Sequence, residues 1–317
     1  MPAEPTILCP IDFSPPARAG LRYALILAEH FGARLVLLTV NDPLLEEVAA
    51  MELGARWLPG DTERELRKFL EATVDGGGPH AARIEFEVAV GKPAEEILRV
   101  ARLRSADVIV MSTHGLTGVR KFFFGSTTER VLRETTVPVL VTPPSESGPR
   151  TTEELRASAQ RILVPVDLGP ASAHQVGVAR AIAEAVRGTL LLLHVVEPVR
   201  FPLPPSLHWP SVDSERRTRA EAALTELTAG LPRSLRAEPL VVLGDPAEEI
   251  AKVARARQVG LIIIALHGSP RLGPRMGSVT YRVLCLTSTL TLALPPKPAE
   301  PDGRRVEVGE IDRAVDR

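Results

Sequence analysis

The chain has 317 residues, and its 38 lysines and arginines nearly balance its 39 aspartates and glutamates. That near-neutral charge argues against a general nucleic-acid binder, which normally carries a clear basic excess, and an aromatic content of 4% argues against a base-stacking surface. No apolar run reaches the ~18 residues that a membrane-spanning helix needs, and two cysteines exclude a disulfide framework or a cysteine-rich zinc site. At roughly 150 residues per domain, the length predicts two domains, and we expect a cytoplasmic protein.

Three segments recur in the same order later in the chain, at a nearly constant separation of 153 to 155 residues. Three ordered matches at one spacing make chance a poor explanation, so the chain is predicted to contain two copies of one domain. The matched segments are TILCPIDFS at 6–14 with RILVPVDLG at 161–169, RLVLLTVNDP at 34–43 with TLLLLHVVEP at 189–198, and GKPAEEI at 91–97 with GDPAEEI at 244–250.

The repeats divide the chain into four parts. We place the first copy at residues 1–146, a linker at 147–160 and the second copy at 161–296. The stretch that joins the copies is rich in proline, serine, threonine and glutamate, a composition typical of linkers. The polar tail, 297–317, is predicted to be poorly ordered.

Within each copy, short apolar runs alternate with segments of helical periodicity. Runs without polar alternation are typical of strands that are buried on both faces. Regular alternation of such strands with helices predicts a parallel, doubly wound α/β sheet. The predicted strands of the first copy are 7–11, 35–40, 84–90, 108–111 and 137–141, and the last strand of the second copy is 289–294.

Capping residues predict where the helices begin and end. Ser14 followed by Pro15 suits an N-cap and a first helical position, and Gly32 suits the end of that helix. Two capping boxes predict further helix starts, Thr62 with Glu65 and Ser126 with Glu129. Pro93 followed by Glu95 and Glu96 predicts another, because acidic residues favour the first turn of a helix. We interpret these two glutamates as part of a helix start rather than as a catalytic pair.

Residues that could bind a ligand follow the strands. In an open parallel sheet, ligands bind beyond the carboxyl ends of the strands, where the strand order reverses. Asp12 and Asp167 follow the first strand of each copy, and a stretch from Ser112 ends in Gly125 and Ser126 at a predicted helix start. Backbone amides at a helix N-terminus bind anions, so a carboxylate with such a site suits a nucleotide. Both features are also ordinary helix caps, and the P-loop and GxGxxG phosphate motifs are absent.

These segments, above all MSTHGLTGVRKFFFGSTTERVL at 111–132 followed by VPVLV, resemble the universal stress protein family over residues about 5–143 and 160–296. Nucleotide-binding members of that family carry a loop of the form G-x2-G-x9-G-[S/T]. This chain departs from it only in having Ser112 in place of the first glycine. The resemblance implies a site for ATP, ADP or AMP, with Mg²⁺ as a common companion of the phosphates.

The resemblance also implies roles for individual residues of the first copy. Asp12 would meet the adenine–ribose end, Val40 would hold adenine through its backbone, and Met111 would line the pocket. Glycines and hydroxyl residues of the loop would surround ribose and phosphates. The full implied site is Pro10, Asp12, Val40, Met111, Ser112, Gly115, Gly125, Ser126 and Thr127.

The second copy departs further from the loop pattern. Ala265 stands in place of the first glycine, and the gap that precedes Gly277 is one residue short. Arg271 and Arg275 could contact phosphate oxygens in compensation, although solvated surface arginines are the more ordinary interpretation. We therefore rank this site below the first. Its candidate residues are Pro165, Asp167, Val195, Ala265, Gly268, Gly277 and Ser278.

We interpret the histidines and phenylalanines in and near the proposed phosphate loop as structural residues rather than as catalytic ones. His114 and His267 occupy matching places and are interpreted as orienting the loop through the backbone. The replacement of Thr39 by His194 argues against a shared role for that position. The residues at 122–124, three phenylalanines, are predicted to pack the loop onto the sheet or onto a partner surface.

The resemblance implies two tandem five-stranded parallel sheets of strand order 3-2-1-4-5, with helices on both faces. It further implies antiparallel pairing of the two last strands, which makes one chain a pseudo-dimer, and it leaves a homodimer of chains open. The implied function is a stress-response protein that binds an adenine nucleotide, mainly in the first copy, and acts as a regulatory switch or interaction module for an unidentified partner.

Three alternatives stay open beside this function. A nucleotide-free scaffold would follow if the departures at Ser112 and Ala265 disable both loops. A slow ATPase is compatible with the loop, but no P-loop lysine and no strong general base lie in it, so we assign no catalytic residue. A nucleotidyl transferase would need an HxGH-type motif after the first strand, where the chain instead has Asp-Phe-Ser-Pro at 12–15.

Overall fold

The computed structural model describes residues 4–44, 47, 51, 59–74, 82–112, 125–143, 148–169, 171–198, 210–266 and 277–296. The strands are β1 (Thr6–Pro10), β2 (Arg34–Asn41), β3 (Arg83–Val90), β4 (Val108–Ser112), β5 (Val139–Thr142), β6 (Arg161–Pro165), β7 (Thr189–Val196), β8 (Arg236–Leu243), β9 (Leu261–Ala265) and β10 (Leu290–Leu294). The helices are α1 (Pro15–Phe31), α2 (Pro59–Thr73), α3 (Pro93–Leu103), α4 (Ser126–Glu134), α5 (Thr152–Ser158), α6 (Ala171–Val186), α7 (Pro210–Ala229), α8 (Pro246–Ala256) and α9 (Ser278–Leu286).

The ten strands form one continuous sheet in the order β3-β2-β1-β4-β5-β10-β9-β6-β7-β8. Neighbouring strands are parallel within each copy, which confirms the order 3-2-1-4-5 in both halves. Strands β5 and β10 pair antiparallel, with Leu140 opposite Leu292. This confirms the predicted junction of the copies, and it gives each half a partner for what would otherwise be an exposed apolar edge.

Helices cover both faces of the sheet, so the strands are apolar on both sides. One face packs against α3, α4, α8 and α9, and the other packs against α1, α2, α5, α6 and α7. Adjacent residues of one strand, such as Ile7 and Leu8, are therefore both buried, on opposite faces. This explains why the strands appear in the sequence as continuous apolar runs. No helix among the described residues has the length and apolarity that a bilayer crossing would need.

The start of α1 is as predicted. Ser14 is the N-cap, and its hydroxyl accepts a hydrogen bond of 3.2 Å from the backbone N–H of Ala17. Gly32 ends the helix in the left-handed conformation. Helix α3 likewise begins at Pro93 with two glutamates in its first turn. Local sequence therefore determines these helix ends.

Both predicted capping boxes are wrong. Helix α2 already begins at Pro59, and the Thr62 hydroxyl, inside the helix, accepts a hydrogen bond of 3.1 Å from Nδ2 of Asn41 on β2. Helix α4 has Gly125 as its N-cap, and no side chain caps its first turn, so Ser126 is already helical. In α2, the Thr62 hydroxyl therefore bonds to a neighbouring strand and does not cap the helix.

The last strand of the first copy begins two residues later than predicted. The Val137 N–H donates to the Thr135 hydroxyl at 3.0 Å, and that hydroxyl donates to the Val137 carbonyl at 2.7 Å. These bonds hold Val137 in a turn, so β5 starts at Val139. The predicted linker also contains a helix, α5, which packs on α1.

A matched pair of helix ends tests the cost of the left-handed conformation. Gly32 has φ 58°, and a Cβ there would meet no atom within 4 Å. Arg187 holds the matching position of the second copy at φ 55°. We expect Gly32→Ala to lower the free energy of unfolding by about 1 kcal/mol, and Arg187→Gly to raise it by a smaller amount. Urea denaturation of both variants measures this; a neutral Gly32→Ala would contradict it.

Candidate functional site

The candidate site lies where β1 and β4 separate. The two strands pair only at Ile7 with Val108 and at Leu8 with Ile109. Beyond these pairs they diverge, and the helices that follow them, α1 and α4, pack on opposite faces of the sheet. A crevice at the carboxyl ends of the strands is the expected ligand site of such a sheet. Pro10 ends β1 at this edge, and Ser112 ends β4.

Asp12 is tied to the start of α1 through one carboxylate oxygen. Its Oδ1 accepts hydrogen bonds from the backbone N–H of Ser14 at 3.1 Å and from the Ser14 hydroxyl at 2.6 Å. The side chain is exposed, and its Oδ2 has no hydrogen bond to any residue that the structure describes. The carboxylate is therefore held in place through one oxygen, and the other makes no bond to a described residue that would compete with a ligand.

The residue after this aspartate is strained in both copies. Phe13 and Leu168 each have φ 61°, a conformation that residues other than glycine rarely adopt. The ring of Phe13 packs edge-on against Phe69, with 5.6 Å between the ring centroids. Strain of this kind persists where the surrounding structure enforces it, and it is often found at functional sites. Its repetition in both copies marks this turn as a feature of the domain.

The interpretation that Thr39 and His194 have no shared role is wrong. The Thr39 hydroxyl donates to the Ile11 carbonyl at 3.1 Å. In the second copy, Nδ1 of His194 lies 2.8 Å from the matching carbonyl of Val166. Both side chains therefore hold the segment that follows the first strand, and their common role is structural. Val40, the neighbour of Thr39, is half-buried at the edge of the crevice.

The end of β4 is tied to α4. Met111 is 6% exposed and packs in the core, and the Ser112 carbonyl accepts a hydrogen bond of 2.9 Å from the Thr128 hydroxyl. Ser112 is a strand residue and does not have a positive φ. Serine in place of the first glycine of the motif is therefore compatible with the backbone up to this point.

The N-terminus of α4 has the features of an anion site. Its N-cap, Gly125, provides no side chain, and no side-chain cap bond is formed within the part of the chain that the structure describes. Ser126 is exposed and Thr127 is half-buried. The first N–H groups of a helix lack partners within the helix, and together with the helix dipole they favour a negative charge.

The second copy repeats this edge with an aspartate that is anchored by different partners. Oδ1 of Asp167 accepts from the Gly169 N–H at 2.8 Å and from the Ser172 hydroxyl at 3.0 Å. The N–H of Gly277, at the start of α9, donates to the Leu266 carbonyl at 3.0 Å. One amide of the second anion site is therefore already bonded within the protein. The Ala265 carbonyl accepts from the Thr280 hydroxyl at 2.9 Å, as in the first copy.

The remaining predicted residues fall into two groups. Pro165 and Val195 are half-buried near the second crevice, and Ser278 is exposed at the start of α9. The others lie outside the described residues, so the predictions about them stay predictions. These are Gly115, Gly268, His114, His267, Arg271, Arg275 and the three phenylalanines at 122–124.

The described residues offer little for metal or thiol chemistry. They contain no group of three or more histidine, cysteine, aspartate or glutamate side chains that could hold a metal ion. Burial raises the pKa of the Cys9 thiol to about 12, so this cysteine stays protonated at neutral pH. Cys9 is buried, whereas Cys285 is half-buried.

The paired glutamates of the GKPAEEI segment serve the fold. Glu95 forms a salt bridge of 2.8 Å with Arg130, and Glu96 forms one of 2.8 Å with Arg99. Gly91 precedes them at φ 151°, and a Cβ there would lie 3.1 Å from Cγ of Glu96. Their interpretation as a helix start rather than a catalytic pair is therefore supported by their contacts.

The second copy strengthens the same helix start with Asp245. Its Oδ1 accepts from the Glu248 N–H at 3.1 Å, and its Oδ2 accepts from Nη1 of Arg282 at 2.7 Å. The hydrogen bond from Arg282, and then that from the Glu248 backbone, lower the pKa of Asp245 below its ordinary value. Lys92 holds the matching position in the first copy and makes no side-chain cap bond.

The lowered pKa predicts a pH dependence of stability. Because the folded pKa of Asp245 lies below the unfolded value of about 3.9, its contribution is present above that value and is lost as the pH falls through the folded pKa. Asparagine can still cap the helix. We therefore expect Asp245→Asn to lower the free energy of unfolding at pH 7 and to flatten its decline below pH ~4. Urea denaturation at several pH values measures both; an unchanged decline would contradict the assignment.

A known protein family matches each of the two copies separately. The family model described as the universal stress protein family matches residues 5–143 and again 158–289. The universal stress protein MJ0531 of Methanocaldococcus jannaschii is 32% identical over 139 residues, which are 43% of this chain and 79% of that protein. A universal stress protein of Thermus aquaticus is 32% identical over 140 residues, which are 43% of this chain and 96% of that protein.

Solved structures match both copies at once. A universal stress protein from Archaeoglobus fulgidus aligns with a TM-score of 0.61 at 18% identity, over 93% of this chain and 97% of that one. A functionally unknown protein from Pseudomonas aeruginosa PAO1 aligns with a TM-score of 0.64 at 16% identity, over 93% of each chain. At these identities the likeness concerns the fold. A universal stress protein solved in complex with cAMP covers 45% of this chain and 99% of its own, with a TM-score of 0.34 at 22% identity.

Proposed function

Because the chain belongs to the universal stress protein family, with two family domains in tandem, we propose that it binds an adenine nucleotide at the carboxyl edge of its first copy. The observation that carries this proposal is the uncapped N-terminus of α4, at the same edge of the sheet as the anchored carboxylate of Asp12. An anion site and a hydrogen-bond acceptor at one crevice fit the two ends of a nucleotide.

The proposed contacts follow from the chemistry of each group. Oδ2 of Asp12 accepts from a ribose hydroxyl or from an exocyclic amine. The backbone of Val40 meets the base, and Met111 provides an apolar wall. The amides and hydroxyls of Ser126 and Thr127 bind phosphate oxygens. Pro10, Ser112, Gly115 and Gly125 complete the proposed site.

Mg²⁺ fits this site only as a companion of the nucleotide. The described residues supply no cluster of three metal-binding side chains. Mg²⁺ commonly keeps several waters and binds through phosphate oxygens with one or two carboxylates. Because Asp12 is proposed at the base and ribose end, phosphate oxygens and water would supply most of the ion's ligands. The ion would balance phosphate charge, and the protein's own groups would position the nucleotide.

The second copy is proposed to bind nucleotide more weakly. Ala265 stands in place of the first glycine of the loop motif, and the gap that precedes Gly277 is one residue short. Asp167 keeps an exposed, anchored carboxylate at the base end. The chain then acts as a regulatory nucleotide-binding module in a stress response. Its second copy completes the sheet through the β5–β10 junction.

Calorimetric titration of Mg²⁺–ATP into the nucleotide-stripped full chain tests the proposal. We expect one dominant site per chain. A hydrogen bond to a charged group is worth about 1.5–3 kcal/mol, so Asp12→Asn should weaken binding roughly 10- to 150-fold. The matched variant Asp167→Asn should change the affinity of the dominant site less than about twofold.

Two outcomes would contradict the proposal in different ways. A larger loss in Asp167→Asn than in Asp12→Asn would reverse the ranking of the copies. No heat of binding and no thermal shift at millimolar nucleotide would reject the nucleotide site and favour a scaffold. Titration with ADP, AMP and cAMP under the same conditions identifies the preferred nucleotide.

A further inference from the structure

Thr142, at the end of β5, carries a buried hydroxyl without a partner. The residue is 0% exposed, and its Oγ1 has no hydrogen bond to any described residue. Buried hydroxyls in native proteins are almost always bonded to protein or to ordered water. An unpartnered hydroxyl in such a position therefore indicates a bound group that completes it.

The hydroxyl lies beside a glycine of α1. A Cβ added to Gly20 would be 3.5 Å from Oγ1 of Thr142 and 3.9 Å from the backbone nitrogen of Ser112. The helix thus presents no side chain at the point where β4 ends and β5 runs beside it. This point lies under the crevice, on the α1 face of the sheet.

The second copy fills the same place with a carboxamide. Gln175 of α6 occupies the position of Gly20 and is 3% exposed. Its Nε2 donates to the Pro165 carbonyl at 2.7 Å and to the Ile263 carbonyl at 2.8 Å. The last paired residues of β6 and β9 are Leu163 and Ile262. The amide therefore bridges the two strands just where they begin to separate.

The exchange between the copies is reciprocal. Where the second copy has Gln175 and Leu294, the first has Gly20 and Thr142. The polar group has moved from the helix to the strand, and the first copy has several side-chain heavy atoms fewer at this pair. One turn further along the helix, the two copies both have alanine, at Ala24 and Ala179. A larger side chain on that turn therefore does not make up for the atoms that the first copy lacks. The first copy therefore has fewer side-chain atoms at this place, and the Thr142 hydroxyl has no partner among the described residues.

We propose that the first copy binds a buried water molecule here, at a position we call the Thr142 site. The water donates to the carbonyls of Pro10 and Val110, the counterparts of Pro165 and Ile263, and accepts from the Thr142 hydroxyl. Its two O–H groups replace the two N–H groups of the Gln175 amide. Three hydrogen bonds are the usual number for a buried water.

The Thr142 site makes the two crevices mechanically different. In the second copy the strands are bridged by a group that is covalently part of α6. In the first copy the bridge is an exchangeable molecule that can follow a change in strand separation. The inference rests on packing alone and holds whether or not a nucleotide binds.

Thermal unfolding of four variants of the full chain tests this site. Thr142→Val removes the hydroxyl at nearly constant shape, and we expect the Tm to fall by about 2–6 °C because the water loses a partner. Thr142→Ser keeps the hydroxyl and should stay close to the wild type. Gly20→Gln combined with Thr142→Leu imports the pair of the second copy and should recover the wild-type Tm or exceed it. Gln175→Gly, the matched control, should lower the Tm.

Direct detection of the water completes the test. Oxygen-17 magnetic relaxation dispersion should count one long-lived internal water fewer in the double variant than in the wild type, and a crystal structure should show the water within hydrogen-bond distance of Oγ1 of Thr142. An unchanged or raised Tm in Thr142→Val, or an empty position in the crystal structure, would overturn the proposal.

Discussion

Ala293→Asp is expected to destabilise the whole chain. Ala293 is 0% exposed in β10 and lies opposite Val139, also 0% exposed, across the junction of the two copies. A carboxylate there would be buried among apolar residues without a partner. We expect the free energy of unfolding to fall by about 4 kcal/mol or more. We also expect the urea transition, single in the wild type if the copies unfold together, to broaden or split as the copies lose their coupling. Denaturation followed by circular dichroism measures both effects.

Leu286→Asp is the matched control for that change. Leu286 is 38% exposed on α9, close in sequence to β10 but outside the junction. The same new charge there remains solvated, and we expect a change within about 0.5 kcal/mol. If Ala293→Asp were as mild as Leu286→Asp, the joined ten-stranded sheet would not be the structure in solution.

Gly260→Ala is expected to have the second large effect. A Cβ at Gly260 would lie 1.4 Å from the Ser158 carbonyl oxygen and 2.5 Å from its carbon. Both atoms are backbone, so no side chain can rotate out of the way. The end of α5 would have to move away from the second copy, and we expect a loss of about 3 kcal/mol or more, the upper range for overpacking. Thermal and urea unfolding measure it.

Two positions of the first copy serve as controls for Gly260. Asp107 matches Gly260, and its side chain is accommodated, with Oδ2 accepting a hydrogen bond of 2.8 Å from the Thr6 N–H. A Cβ at Gly60 would meet no atom within 4 Å, so Gly60→Ala in α2 should be neutral or slightly stabilising. A Gly260→Ala variant as stable as Gly60→Ala would contradict the path of the linker.

The candidate site was only partly predictable. Asp12 and Gly125 follow from their places after a strand and before a helix, and the resemblance to a family assigned their roles. The bond between Thr39 and Ile11 joins residues 28 positions apart, and the bond between Gln175 and Ile263 joins residues 88 apart. Neither has a sequence signature. Comparison of the aligned copies would have been a usable signal, because Gly20 opposite Gln175 is an unusual exchange in a helix.

The sequence by itself determined the two copies, the apolar strands and several helix ends, because these depend on interactions within a few residues. Repetition, buried runs, the Ser14 cap and the Gly32 stop are all of this kind. The tertiary structure alone decided what the polar side chains do: Thr62 bonds to β2 rather than capping its helix, Arg282 lowers the pKa of Asp245, and Gln175 bridges two strands. A buried polar group must find a partner wherever the fold brings one near, and that proximity is a property of the packed sheet and helices.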